Sequence, residues 1–301
     1  MIVIILILLL LVIVGTILNI FFLYIQKRGS STLGSNPPNV KRDPGLDQKT
    51  AEFLKIKKTE LKIESKFNHN QLYGWFTEAK YPTESTVILV HGFAVDHNSL
   101  NIHAQLFYNL GYNVLQIDNQ AAGKSSGKYM GYGFIESLDL IDWVDKIKSK
   151  YPNGKIVLFG ASMGAATVML ASPKLNGKVS AIIEDSGYTS TKDILSYHAQ
   201  NMYHIKGRLL INGISLFSRI RAGFFYGQAD CLKALSKNKI PVLFMHGQND
   251  FTVPFEMEEK LYTCGNFFRE KYVSQGVHIR SYYIDSINYQ KSVEKFLKHI
   301  Q

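Results

Sequence analysis

The apolar positions of this chain fall into three regimes. Met1–Ile25 carries no charged side chain and is built mainly from Ile, Leu, Val and Phe. As one helix it would run about 37 Å, enough to cross a hydrocarbon layer of about 30 Å with some tilt. Gly29–Leu46 is rich in Ser, Gly, Pro and Asn and reads as a linker. Beyond it the period changes. Thr59–Ser65 and Leu72–Thr77 alternate apolar and polar positions, which predicts an antiparallel strand pair turning at Asn68-His69-Asn70. Short runs then follow at Val87–Val90, Val114–Asp118, Ile156–Phe159, Val179–Ile183, Pro241–Met245 and Glu270–Ser274. Helical stretches separate them, among them His103–Leu110 and Ile135–Lys148, and an amphipathic helix closes the chain at Tyr289–Ile300. Mostly apolar strands of four to six residues alternating with helices predict an α/β fold, a mostly parallel sheet with helices on both faces. The expected organisation is an anchor over 1–25, a linker over 26–46 and one folded domain over 47–301.

One segment breaks the alternation. Nearly sixty residues separate the strands at Val179–Ile183 and Pro241–Met245, too many for a plain crossover. Within it, Thr189–Leu235 holds Tyr197, His198, Tyr203, Phe217, Phe224, Phe225 and Tyr226 with Lys192, Arg208, Arg219 and Arg221. A helical cap inserted over the C-terminal edge of the sheet would use residues in this way, and so would a helix-and-loop excursion whose aromatics are core.

Composition sharpens the first regime. A cleaved signal peptide usually has a basic start and a small-x-small cleavage site, whereas this apolar run has no Lys or Arg before it and ends in Phe21-Phe22-Leu23-Tyr24-Ile25. An uncleaved anchor is expected, with a signal peptide as the lesser alternative. Formal net charge is +10, and residues 26–60 hold eight Lys/Arg against four Asp/Glu, a surplus suited to an anionic membrane surface. The remaining basic residues are scattered without a nucleic-acid motif, so nucleic acid is not an expected partner. Lys27, Arg28, Lys41 and Arg42 follow the span, which by the positive-inside rule places the bulk in the cytoplasm. Two cysteines, Cys231 and Cys264, make neither a disulfide framework nor a metal site.

The chemistry concentrates in Lys155–Thr167. Apolar Ile156–Phe159 runs into Gly160-Ala161-Ser162-Met163-Gly164 and then into a small-residue helical segment. Strand, tight turn and helix with serine at the apex is a nucleophile elbow, which lifts Oγ clear of the sheet while glycines two before and two after remove obstructing Cβ atoms. Gly123-Lys124-Ser125-Ser126-Gly127 fits the same pattern but follows a loop, and a glycine-broken stretch comes after it. Ala122-Gly123-Lys124-Ser125 also matches the end of a phosphate-binding loop, yet the first glycine would fall on Asp118.

A serine needs a base and an orienting acid, expected downstream in that order. Asp250 lies just past the apolar run ending at His246-Gly247, where catalytic groups of such sheets gather, and Asp185 with Glu184 is its rival. The histidines after the acid are His278, directly behind the strand ending near Ser274, and His299 on the terminal helix; His278 is the expected base. The oxyanion hole would use the N–H of Met163 and that of Phe93, in the His91-Gly92-Phe93-Ala94 loop. His91 is expected to brace that loop. His91, His97 and His103 do not have a metal-ligand spacing, and no metal or cofactor is expected.

With H-G-F, G-A-S-M-G, H-G-Q-N-D-F-T-V-P and V-H-I-R-S-Y in order, the chain resembles the α/β-hydrolase superfamily over about residues 50–300. It looks most like bacterial, N-terminally anchored members related to serine aminopeptidases and cinnamoyl-type esterases. The resemblance implies Asp250 as the acid and His278 as the base. Related hydrolases with one N-terminal span often look exported and surface-tethered, against the positive-inside reading, so the side of the membrane stays open. Asp118–Gly127 departs from relatives in having Gln120 for arginine and Ala122 for histidine, which weakens substrate inference. The expected function is a membrane-anchored serine hydrolase acting on a small-molecule carboxylic ester. A peptide or thioester would use the same apparatus, and a non-catalytic ligand-binding protein on this fold is the alternative from another class.

Overall fold

A computed structural model describes residues 1–29, 44–204 and 207–300. Most of the linker expected over 26–46 lies outside them. Helix α1 spans Ile2–Gln26 and α2 spans Pro44–Leu54. The second helix starts inside the segment read as linker. Its proline sits in the first turn, where a missing N–H costs nothing, and it buries Leu46 and Phe53.

Eight strands form one sheet: β1 (Thr59–Glu64), β2 (Gln71–Thr77), β3 (Thr86–Val90), β4 (Asn113–Ile117), β5 (Ile156–Ala161), β6 (Ala181–Asp185), β7 (Val242–Gly247) and β8 (Arg269–Ser274). Their order is β1-β2-β4-β3-β5-β6-β7-β8. β2 runs antiparallel to β1 and β4, and every later pair is parallel. β3, β4, β5, β6 and β7 are buried at every position, because helices cover both faces. Alternation divides their side chains: Ile88, Val90 and Leu158 join one core, Val87, Leu89 and Phe159 the other. α3 (Asn101–Asn109) and α11 (Ser286–His299), which comes after α9 (Phe255–Tyr262) and α10 (Ser281–Ile284), close the second core; α4 (Phe134–Lys150) and α5 (Met163–Leu175) close the first. β3 sits between β4 and β5, so the chain leaves it toward one side first and later returns to the other. A crevice opens at such a reversal beyond the carboxyl ends of the strands, and the loops after β3 and β5 meet there.

Observed strands lie within about two residues of those expected. The largest displacement has a consequence: the run expected at Val179–Ile183 is β6 at Ala181–Asp185, which puts Glu184 and Asp185 inside the sheet.

The excursion after β6 folds as α6 (Thr191–Tyr203), α7 (Arg208–Ala222) and the short α8 (Cys231–Leu235). Phe224 and Tyr226 are core, Phe225 is exposed, and the Tyr197 hydroxyl donates to the Phe251 carbonyl at 3.1 Å. α6 therefore reaches the loop that carries Asp250, while the end of the excursion packs into the domain. Cys231 and Cys264 are both free thiols.

The helix expected as a separate anchor is joined to the domain at its last turn. Phe22 and Ile25 are buried. Tyr226 Oη donates to Gln26 Oε1 at 3.0 Å, Tyr132 Oη donates to the Ile25 carbonyl at 2.6 Å, and the Met130 N–H donates to the Gln26 carbonyl at 2.9 Å. Arg28 then donates to the Ser125 and Gly123 carbonyls, each at 2.6 Å.

Candidate active site

Ser162 stands between β5 and α5 with φ 56° and ψ −117°, a backbone state an L-residue adopts only when its surroundings impose it. The imposition is visible on both sides. A Cβ on Gly164 would lie 1.9 Å from the Val90 carbonyl oxygen, and one on Gly92 would lie 3.3 Å from Ser162 Cβ. The Ser162 N–H donates to the Asp185 carbonyl at 2.8 Å, which ties the turn to β6.

Asp250 lies three residues beyond β7. Its Oδ1 accepts the N–H groups of Thr252 and Val253, both at 2.8 Å, and Oδ2 accepts from His278 Nδ1 at 2.6 Å. His278 Nε2 faces Ser162 Oγ at 2.9 Å. Burial would raise the Asp250 carboxyl, but His278 and His246 beside it hold it well below the usual carboxylate range. It is therefore an anion that fixes the proton of His278 on Nδ1 and leaves Nε2 free to accept.

The two rivals are elsewhere. Asp185 accepts from Tyr289 Oη and Ser186 Oγ, each at 2.8 Å, and burial pushes its carboxyl up. His299 lies on the outer surface of α11, 2.5 Å from Glu270. Ser125, in the second serine-glycine pattern, donates to the Asp118 carbonyl and accepts from the Tyr73 N–H, which makes it a buried tie in a loop.

Met163 opens α5, so its N–H has no intrahelical acceptor. Phe93 follows Gly92 on the loop against Ser162, and its ring stacks on Tyr132 with centroids 5.2 Å apart. His91 Nε2 accepts the Asn119 N–H at 3.0 Å, so Nδ1 carries the proton and donates to the Gly92 carbonyl at 2.8 Å. Burial lowers its pKa, in keeping with this neutral, bracing role.

Several neighbours are given no supporting role at the acid by the linear pattern. His246 is buried behind Asp250, with Nε2 3.0 Å from the Val253 carbonyl, 3.3 Å from Asp250 Oδ2, and Nδ1 3.7 Å from Glu258. Burial would lower its pKa, but Asp250 and Glu258 push it up to about 10. Glu184 is raised well above its ordinary value by burial and then by Glu258. From α6, His198 is lowered to about 4 by burial and by the charge of His278. His246 could have been suspected from its place in the strand-end motif; Glu184 meets Glu258, and His198 meets His278 and Asp250, only through the fold.

A family model described as serine aminopeptidase, S33, matches residues 81–212, a range that includes Ser162 and ends before Asp250 and His278. An uncharacterized protein of Bacillus subtilis, YqkD, is 29% identical over 292 residues, 95% of this chain and 93% of that protein. The protein bem46 of Schizosaccharomyces pombe is 30% identical over 155 residues, 50% of this chain and 46% of its own. Among solved structures, the esterase Pf2001 of Pyrococcus furiosus matches with a TM-score of 0.67 at 23% identity, covering 88% of this chain and 99% of that one. The strand order, the turn at Ser162 and these likenesses agree that the chain has the α/β-hydrolase fold.

Proposed function

We propose that this chain is a membrane-anchored serine hydrolase that cleaves a small-molecule carboxylic ester with Ser162 as nucleophile, His278 as base and Asp250 as orienting acid. The observation that carries the reading is the unbroken line from Asp250 Oδ2 through His278 to Ser162 Oγ, at 2.6 and 2.9 Å. His278 Nε2 takes the hydroxyl proton as Oγ attacks the carbonyl carbon, and the Met163 and Phe93 N–H groups receive the oxyanion. The imidazolium then protonates the leaving alkoxide as the carbonyl re-forms, which leaves an acyl-serine. Water, deprotonated by the same nitrogen, attacks that ester, and collapse of the second tetrahedral intermediate returns the proton to Oγ. No cofactor is called for. The esterase likeness favours an ester, while the aminopeptidase family model supports an amide as the second reading, with the same groups in the same roles.

α1 is long and apolar enough to span a bilayer, a test that a signal sequence also passes. The burial of Phe22 and Ile25 and the bonds to Ile25, Gln26 and Arg28 favour a retained anchor, since cleavage after the apolar run would remove core side chains. The test is labelling of the full chain in detergent with a fluorophosphonate, beside Ser162→Ala and His278→Ala. Stoichiometric labelling lost in both variants is expected, followed by an ester, thioester and aminoacyl-amide panel. A folded wild type that does not label would overturn the enzymatic reading and leave ligand binding in the same crevice.

A further inference from the structure

α7 has two apolar faces. Ile211 and Ile214 point into the domain core, yet Leu209, Leu216 and Ile220 are 86%, 52% and 70% exposed. At about 100° per residue these three fall within about 40° of one another, a stripe along the outside of the helix. Arg208 and Arg219 flank it on one side and Arg221 on the other, all exposed. A soluble surface rarely keeps such a stripe bare.

The neighbour of the stripe is α1. A Cβ on Gly213 would lie 2.9 Å from both methyl carbons of Leu18, so the two helices touch at that level. Leu18 is about 24 Å along the axis from Ile2 at 1.5 Å per residue, inside a hydrocarbon layer of about 30 Å that begins near Ile2. Ile17 and Ile20 are exposed at the same height. Whatever surrounds α1 there also surrounds the stripe.

We propose that α7 lies in the interfacial layer of the bilayer that α1 crosses, with Leu209, Leu216 and Ile220 among acyl chains and the three arginines at anionic headgroups. This rests on the membrane reading of α1. A second copy of the chain is a poorer occupant, because it would oppose one arginine cluster to another, whereas acidic headgroups complement it. The surface places the segment that also supplies α6, over the Asp250 loop, directly on the membrane.

The test uses the full chain in vesicles of phosphatidylcholine and phosphatidylglycerol. Leu216→Cys, Ile220→Cys, Val12→Cys and Lys291→Cys are made in a Cys264→Ala background, Cys231 being buried, and are labelled with an environment-sensitive fluorophore. Val12 reports mid-span and Lys291 the α11 surface on the other side of the sheet. Fluorophosphonate labelling verifies that each variant is folded. Expected are blue-shifted emission at 216 and 220, loss of quenching by aqueous iodide, and quenching by nitroxide lipid, with the reverse at 291. Iodide quenching at 216 and 220 while position 12 stays lipid-accessible would overturn the surface and leave the anchor standing. Protection at 216 and 220 from both quenchers would mean that protein covers the stripe, which also overturns it. Iodide quenching at position 12 would remove the anchor and the surface together.

Discussion

Asp185 ends β6 and Asp250 lies in the loop after the adjacent β7, and their surroundings drive them in opposite directions. Asp250 is held anionic by two histidines and two backbone N–H groups, whereas burial raises Asp185 beside Tyr289 and Ser186. Asp250→Asn should therefore lower kcat for a chromogenic ester by about 10³–10⁴-fold, the cost of losing the anion that sets the imidazole tautomer. Asp185→Asn should leave kcat nearly unchanged and lower the thermal midpoint instead; equal losses from the two would reverse the assignment of the acid. His246 supplies a pH signature. Its folded pKa of about 10 lies above the ordinary histidine value, so its contribution to stability is full below about pH 6.5 and drains away as pH rises toward 10. Glu184, also raised, contributes in the same direction. Urea unfolding of the chain in detergent at pH ~7 and ~9.5 should show a loss of stability that is smaller in His246→Gln.

At the scale of elements, the seam between α1 and α7 depends on the missing side chain of Gly213. Gly213→Leu would drive a branched side chain against Leu18, at a cost of about 1–3 kcal/mol, the usual range for overpacking. Leu18→Ala in the same chain should recover part of that loss, and thermal melts of both single variants and the double variant read the coupling. The elements themselves were mostly legible in the linear pattern, because buried parallel strands are short apolar runs whichever neighbour they pair with. α2 was not: Pro44–Leu54 mixes polar and apolar positions, and packing against α3 covers Leu46 and Phe53. The cap segment was undecided for a related reason. Phe224 and Phe225 are adjacent and alike, yet one is core and the other exposed, a difference set by where the turn after α7 leads.

For the whole molecule, the docking of α1 ties the N-terminal helix to the folded domain, so a cut at residue 47 divides one packed unit. A chain beginning there lacks Phe22 and Ile25, whose burial contributes about 3–6 kcal/mol by side-chain area, and lacks the partners of Tyr132 and Tyr226. Tyr132 stacks on Phe93, so the deficit reaches the loop beside Ser162. A chain beginning at Leu18 keeps these contacts and is expected to label with a fluorophosphonate and to melt well above the chain beginning at residue 47. Equal melting points and equal labelling would mean that the docked turn contributes nothing to the site.

What the linear pattern determined on its own was local: the strand-turn-helix that makes Ser162 an elbow, the strand ends after which Asp250 and His278 fall, and the apolar length of α1. Each rests on residues a few positions apart, whose covalent geometry and hydrophobic period act before any partner is chosen. Tertiary structure alone set the surroundings of the two aspartates: Asp185 ends β6 inside the sheet, while Asp250 lies in the loop facing His278. It alone brought His246, Glu258 and Glu184 together behind the acid and seated Ile25 on Tyr132 across more than a hundred residues of chain. Such contacts depend on complementary shape and on the satisfaction of buried polar groups, which no single segment encodes.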